Sequence, residues 1–490
     1  MIKRIRLTDF TVFIILSCAV CFSFCLLFRP VTYEGQGDFP AYLDLAKQIY
    51  HLPGATETDL SHRSPLYSLV LGLFIIVFGE AHYLVALMVF QYILICISSL
   101  FIYRIILRLT GARTAAFIAG LAGILNLTTV FFGFMILSET LALALFTSMA
   151  WLLTKYYDTG ATTTITAAGI ISGLLVLSRY NMIGIPLVIV ALMVIVLVLK
   201  SDTIKPVRMM RDISFFVLGT AVIVSLWAFR NYGTYGRVEL IPKYQTGQRW
   251  AVPATINPAD KVSVEYREVL AIFLATREKL LEKEAQRKYR KSSLLEYRFI
   301  KRINDYFRPE VSGYLLYRDS EDELLAFYHL TKDPDGIRTL NEKLKPFYGE
   351  IAYQNRSQIN RLRVYSFLYS FKHISPTLAT KEPLNLNRLP SFILKAYKAI
   401  FIIIILLTYA GSLIHIAFLF RSRERFRQGM PWIMMYAIIW YFPVINTYAN
   451  VLSDANRFRF PADMLILGLF VALCYRLAHI TVRPGNVIRQ

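Results

Sequence analysis

Carboxylates and arginines recur in this chain at the edges of long apolar runs. Asp38 and Asp44 follow the first run, and Ser138-Glu139 opens a later one. His62-Arg63-Ser64-Pro65, Arg179-Tyr180-Asn181, Arg230-Asn231-Tyr232 and the stretch from Asp454 through Arg457 and Arg459 to Pro461 flank others. Holding a charge beside hydrocarbon is costly, so each is a candidate site residue. A carboxylate next to a hydroxyl or amine can act as general base. A guanidinium offers a planar fork of donors that matches phosphate. Taken together, these groups suit an anionic lipid head group with a proton acceptor beside it.

Each residue also has a purely structural reading. Asp38 suits the N-cap of a following helix, with Pro40 in its first turn. Glu139 suits the positive end of a helix dipole. A single arginine near an apolar run can simply snorkel to the lipid phosphates. His62 is a candidate metal ligand, but no further ligand stands at a defined spacing from it. No cofactor is otherwise implied, and a divalent metal is left open.

Composition sets the class. The chain has 490 residues, is 56% hydrophobic and carries a formal charge of +21; its mean hydropathy is +0.46. Several runs approach the roughly 20 apolar residues that cross a bilayer. The positive charge clusters in short loops between them, which is how membrane proteins encode orientation. No basic module interleaved with aromatics supports nucleic-acid binding. Five cysteines lie within apolar runs and imply no disulfide framework. No Walker A loop, Gly-x-Ser-x-Gly elbow or His-Glu-x-x-His pattern is present. The basic start with Lys3, Arg4 and Arg6 ahead of an apolar run reads as an uncleaved signal anchor.

The elements that must position the candidates follow from the same bookkeeping. The pattern predicts an all-α polytopic membrane protein with about ten transmembrane helices. Spans are expected over 8–28, 81–107, 114–134, 139–156, 163–177, 183–199, 213–229, 393–420, 432–445 and 464–477. An amphipathic helix is expected over 39–50. The apolar stretch 65–78, about 14 residues, is too short to cross comfortably and reads as an interfacial helix. This choice keeps Arg104, Arg108 and Arg113 in the cytoplasm with Lys200, Lys205, Arg208 and Arg211, and with Arg421, Arg423, Arg425 and Arg427. All the candidate residues then face the opposite side. Three divisions result: a transmembrane module over 1–230 with its first outer loop at 29–80, an extracytoplasmic, mainly helical insert over 231–390, and C-terminal transmembrane helices over 391–490.

Ordered pieces of the chain resemble the GT-C glycosyltransferases, which include protein O-mannosyltransferases and the aminoarabinose transferase acting on lipid A. Gly37, Asp38, Tyr42 and Ala46 form a Gly-Asp-x-x-x-Tyr-x-x-x-Ala pattern, and Pro65-Leu66-Tyr67 enters a helix ending at Gly79. Ser138-Glu139, Leu177-Ser178-Arg179, the run from Trp227 to Gly233, and the Arg-x-Arg-x-Pro element of Arg457, Arg459 and Pro461 follow in order. The resemblance covers 1 to about 235 and about 390 to 480. Two departures stand out: Phe39 follows Asp38 where many relatives have an acidic pair, and 231–390 matches nothing in the family.

The resemblance implies a GT-C-like bundle in a bacterial inner membrane with its site facing the periplasm or exterior. It implies an inverting transfer of a hexosyl or pentosyl group from a polyprenyl-phosphate donor to a glycan, lipid or protein acceptor. Asp38 would be the catalytic carboxylate of the first loop, which deprotonates or orients the acceptor nucleophile, with Glu139 in support. Asp44, Arg63, Tyr67, Arg179, Arg230, Asn231, Arg457 and Arg459 would contact substrate. A polysaccharide polymerase or ligase would instead place its essential residues in 231–390. A flippase or transporter would show mid-membrane charges and repeated halves, neither of which the sequence displays. A scaffold of an envelope complex, docking through the insert, is the non-enzymatic alternative.

Overall fold

The computed structural model describes residues 7–28, 39–55, 64–199, 206–235, 391–449 and 455–482, and a few residues within 364–371. Among them there is no strand. Twelve α-helices are described: α1 (Leu7–Phe28), α2 (Phe39–Ile49), α3 (Pro65–Thr110), α4 (Arg113–Leu125), α5 (Leu127–Phe134), α6 (Glu139–Thr159), α7 (Thr162–Ser178), α8 (Gly184–Leu199), α9 (Pro206–Tyr235), α10 (Ser391–Leu419), α11 (Arg423–Ala449) and α12 (Ala455–Val482). A 3₁₀ turn, Tyr180–Met182, joins α7 to α8. Five helices among the described residues are long and apolar enough to cross a membrane, or six if α4 and α5 form one bent span. Apolar side chains on their outer faces, such as Leu187, Val198 and Phe229, are exposed as lipid contact requires.

Two apolar segments break at single residues. α3 is interrupted at Gly79, whose φ of 70° and ψ of 168° lie where only glycine is at ease. Its two limbs match the expected 65–78 helix and 81–107 span. They fold toward each other, with the Phe74 and Phe90 rings 5.3 Å apart. The expected single span over 114–134 is instead bent by 48° between α4 and α5. The cause is Asn126. Its backbone is extended and its side-chain oxygen accepts the Thr128 N–H at 2.9 Å, starting a new helix.

Packing gathers these helices around shared seams. The pairing of α7 with α9 is the most extensive, and α3 packs on both α4 and α6. Gly169 permits the α7–α9 approach: a Cβ there would collide with the Phe216 carbonyl. Close backbone approach through small residues is the usual way helices associate in lipid. α12 lies against α4, α3 and α6 and ties the C-terminal helices to the N-terminal ones.

One end of the bundle is built from the basic loops. Arg108 pairs with Asp158, and Arg208 donates to the Gly160 carbonyl at 2.6 Å. Buried Asp212 accepts from Tyr156 at 2.7 Å and Thr162 at 2.9 Å. These contacts bring the end of α3, the α6–α7 turn and the start of α9 to the same side, as the charge pattern predicts.

The expected insert is not wholly separate from the membrane helices. Phe367, Ser370 and Phe371 pack among α10, α11 and α12, with the Phe371 ring 5.0 Å from Tyr409 and 6.4 Å from Trp440. The remainder of 236–390 lies outside the described residues. α9 runs to Tyr235, one turn past the expected division at 230.

Candidate active site

At the opposite end from the basic loops, the ends of α2, α3, α6, α7 and α9 meet. α2 buries Phe39, Tyr42, Leu45 and Ala46, a stripe of helical spacing, against α3. Tyr42 thereby reaches two partners. Its ring meets Tyr67 edge-on at 5.3 Å, and its hydroxyl lies 3.1 Å from Ser138 Oγ. Tyr67, 1% exposed on the first limb of α3, donates its hydroxyl to Gln91 Oε1 at 2.9 Å.

Glu139 is the first residue of α6 and is fully buried. Arg179 Nη1 reaches Glu139 Oε1 at 2.8 Å from the C-terminal end of α7, itself 7% exposed. The helix dipole and the guanidinium therefore both favour the carboxylate there, as the structural reading of Glu139 expects. Arg179 has left helical geometry at that point, which carries its side chain across to α6.

α9 completes the cluster. Trp227 Nε1 donates to the Tyr180 hydroxyl at 3.1 Å. Arg230 lies 4.8 Å above the Trp227 ring and donates to Asn231 Oδ1 at 3.2 Å. Asn231 is 2% exposed. Thus Tyr67, Glu139, Arg179, Arg230 and Asn231, drawn from four separate stretches of sequence, occupy one end of the bundle together with Tyr42, Ser138, Tyr180 and Trp227. Asp44 lies half-buried on α2.

A second polar group surrounds Arg459. Arg459 is fully buried; its Nε donates to Asp463 Oδ1 at 2.7 Å, one turn on, and its Nη1 donates to the Ser370 carbonyl. Nearby, Tyr397 donates to Asn126 Oδ1 at 2.5 Å, and Phe460 packs against Phe132 at 4.4 Å. Arg459 thus binds a carboxylate and a carbonyl of its own chain. Asp38, His62 and Arg63 lie outside the described residues, as does the Arg457 side chain. Among the described residues, no three His, Cys, Asp or Glu side chains converge as a metal set would require.

Sequence reasoning left out Gln91, Asn126, Tyr397 and Asp463. Two of these carried a signal. Gln91 is an amide inside a long apolar run, where a polar group must find a partner. Asp463 stands four residues after Arg459, the spacing of a helical ion pair.

Residues 62–227 match the family described as dolichyl-phosphate-mannose-protein mannosyltransferase. The fold is similar to that of the archaeal oligosaccharyltransferase AglB from Archaeoglobus fulgidus, solved in complex with an inhibitory peptide and a dolichol-phosphate. That likeness has a TM-score of 0.51 and 13% identity, over 98% of this chain and 52% of that one. ArnT from Cupriavidus metallidurans, bound to undecaprenyl phosphate, gives a TM-score of 0.39 and 14% identity, over 97% of this chain and 80% of that one. No curated protein matches the chain significantly. The chain therefore spans about half the length of the AglB structure it resembles. The matched stretch and the shared fold bear out the GT-C resemblance. This is a multi-pass membrane protein, and the stretch that matches the mannosyltransferase family holds Tyr67, Glu139 and Arg179.

Proposed function

We propose that the protein is an inverting glycosyltransferase that moves a sugar from a polyprenyl-phosphate donor to an acceptor at the outer face of a bacterial inner membrane. The observation that carries this reading is the buried Glu139–Arg179 pair, walled by Tyr42, Tyr67 and the α9 residues Trp227, Arg230 and Asn231. It stands at the end of the bundle opposite the basic loops, within a fold shared with an enzyme solved with a lipid phosphate. Asp38 directly precedes Phe39, whose side chain is buried at the start of α2.

In this reading the acceptor hydroxyl or amine attacks the anomeric carbon from the face opposite the phosphate. The bond from that carbon to the phosphate oxygen breaks as the new bond forms, which inverts the centre. Asp38 takes the acceptor proton. The polyprenyl phosphate leaves with the bonding electrons, and its charge is held by arginines drawn from Arg63, Arg179, Arg230 and Arg457. Glu139 keeps Arg179 extended toward that charge. Asn231 and Asp44 supply acceptors for substrate hydroxyls. α2 and the first limb of α3 form the wall of the lipid groove.

The test is transfer of radiolabel from polyprenyl-phosphate sugars into an envelope extract by purified wild-type protein and by Asp38→Asn. Label should move with wild type and fall by at least a hundredfold with the variant, which remains folded. Full activity in Asp38→Asn removes that residue from the mechanism. No transfer from any donor by folded wild-type protein overturns the reading itself.

A further inference from the structure

We propose that Gln91 is a positioning residue of this site, a clasp that sets the α2 end of the site against Glu139; the inference rests on the function proposed above. Gln91 lies on the second limb of α3, twelve residues past the break at Gly79, and is 1% exposed. It makes three hydrogen bonds of 2.9 Å. Its Oε1 accepts from the Tyr67 hydroxyl, and its Nε2 donates to the carbonyls of Gly133 and Met135.

Those carbonyls stand at the end of α5, where a helix leaves its last acceptors without intrahelical partners. In an apolar interior, water is not at hand to take them. The Met135 carbonyl also accepts the Leu137 N–H at 2.9 Å; Gln91 meets one donor and two acceptors at this point, and among the side chains an amide matches that set. Leucine supplies none of it, and glutamate supplies the acceptor but places charge against two carbonyls.

The bonds close a circuit. Gln91 holds Met135, three residues before Ser138. Ser138 lies against the Tyr42 hydroxyl, Tyr42 packs on the Tyr67 ring, and Tyr67 returns to Gln91. The circuit joins α2, both limbs of α3 and the turn that presents Glu139. Cutting it at Gln91 leaves the turn tied to α2 only through the Tyr42–Ser138 contact and frees the turn from α3 at this point, while the groups of the site all remain present. Tyr67, expected from sequence to contact substrate, acts in this circuit through its ring and through Gln91.

The test uses Gln91→Leu, Tyr67→Phe and the double variant in full-length, detergent-purified protein. Gln91→Leu should lower kcat at least tenfold with the donor KM within twofold of wild type. Tyr67→Phe should lower it severalfold, and the double variant should match Gln91→Leu, since both changes open the same circuit. A raised KM at unchanged kcat, or fully additive losses, overturns the proposal.

A second readout needs no activity. In protein lacking the five native cysteines, Ile136→Cys reports on the turn, where Ile136 is 3% exposed. A membrane-impermeant maleimide should label it at least fivefold faster with Gln91→Leu, in protein that still elutes as a folded monodisperse species. Equal labelling overturns the clasp even if wild-type transfer is absent, whereas absent transfer with accelerated labelling overturns only the function on which it rests.

Discussion

At the scale of residues, the site is held by a charge pair that neither partner can leave cheaply. Glu139 and Arg179 are both almost fully withdrawn from solvent and 2.8 Å apart. Removing one member of such a pair strands the other and costs about 3–5 kcal/mol, whereas replacing both by apolar groups is often tolerated. Glu139→Leu alone should therefore lower the melting temperature of the detergent-solubilised protein markedly. Glu139→Leu with Arg179→Met should recover most of that loss while transfer stays abolished. Equal melting points for single and double variants would show that the pair is not the coupled unit described here. The types and sidedness of both residues were legible in the sequence. Their pairing was not, because 40 positions separate them and only the α6–α7 hairpin joins them. The Arg459–Asp463 pair was legible by its spacing of four, but Arg459 in its Arg-x-Arg-x-Pro setting reads first as a ligand for phosphate. Its two bonds within the chain are visible only once Asp463 and Ser370 are placed.

At the scale of elements, apolar run lengths and loop charges placed most helix limits to within a few residues. α2, the two limbs of α3, α6 and α7 all fall close to their expected bounds. The bend at Asn126 was not legible, because its cause is a cap inside a hydrophobic run, sealed from another helix by Tyr397. Close approach was likewise hidden in composition. Gly169 reads as one small residue among several, yet any side chain there meets the Phe216 carbonyl. Gly169→Val should separate α7 from α9 and thereby draw Arg179 on one helix away from Arg230 on the other. An overpacked seam costs about 1–3 kcal/mol, so the expected result is a lower melting temperature together with a severalfold loss of transfer. A variant with wild-type stability and activity would mean the seam can open without moving the site.

At the scale of the whole molecule, one asymmetry organises the chain. The basic loops gather at one end through Arg108–Asp158, Arg208–Gly160 and the Asp212 cluster, and the candidate site gathers at the other. The positive-inside bias predicts a cytoplasmic position for the first end. The proposed chemistry needs the second end outside, where a lipid-linked sugar and its acceptor would meet. Both demands are met by one orientation, which makes the orientation itself a test. Single cysteines at Thr159, the last residue of α6, and at Tyr232, exposed beside the site on α9, should report opposite sides in a background without native cysteines. In intact cells an impermeant maleimide should label the cysteine at 232 and spare the one at 159, and inverted vesicles should exchange the two. Labelling of both from the same side would contradict the fold, because α7 to α9 cross between those positions an odd number of times. The exchanged pattern would keep the fold but turn the site toward the cytoplasm, and a donor presented at the outer face would then have no access to Arg179 and Arg230.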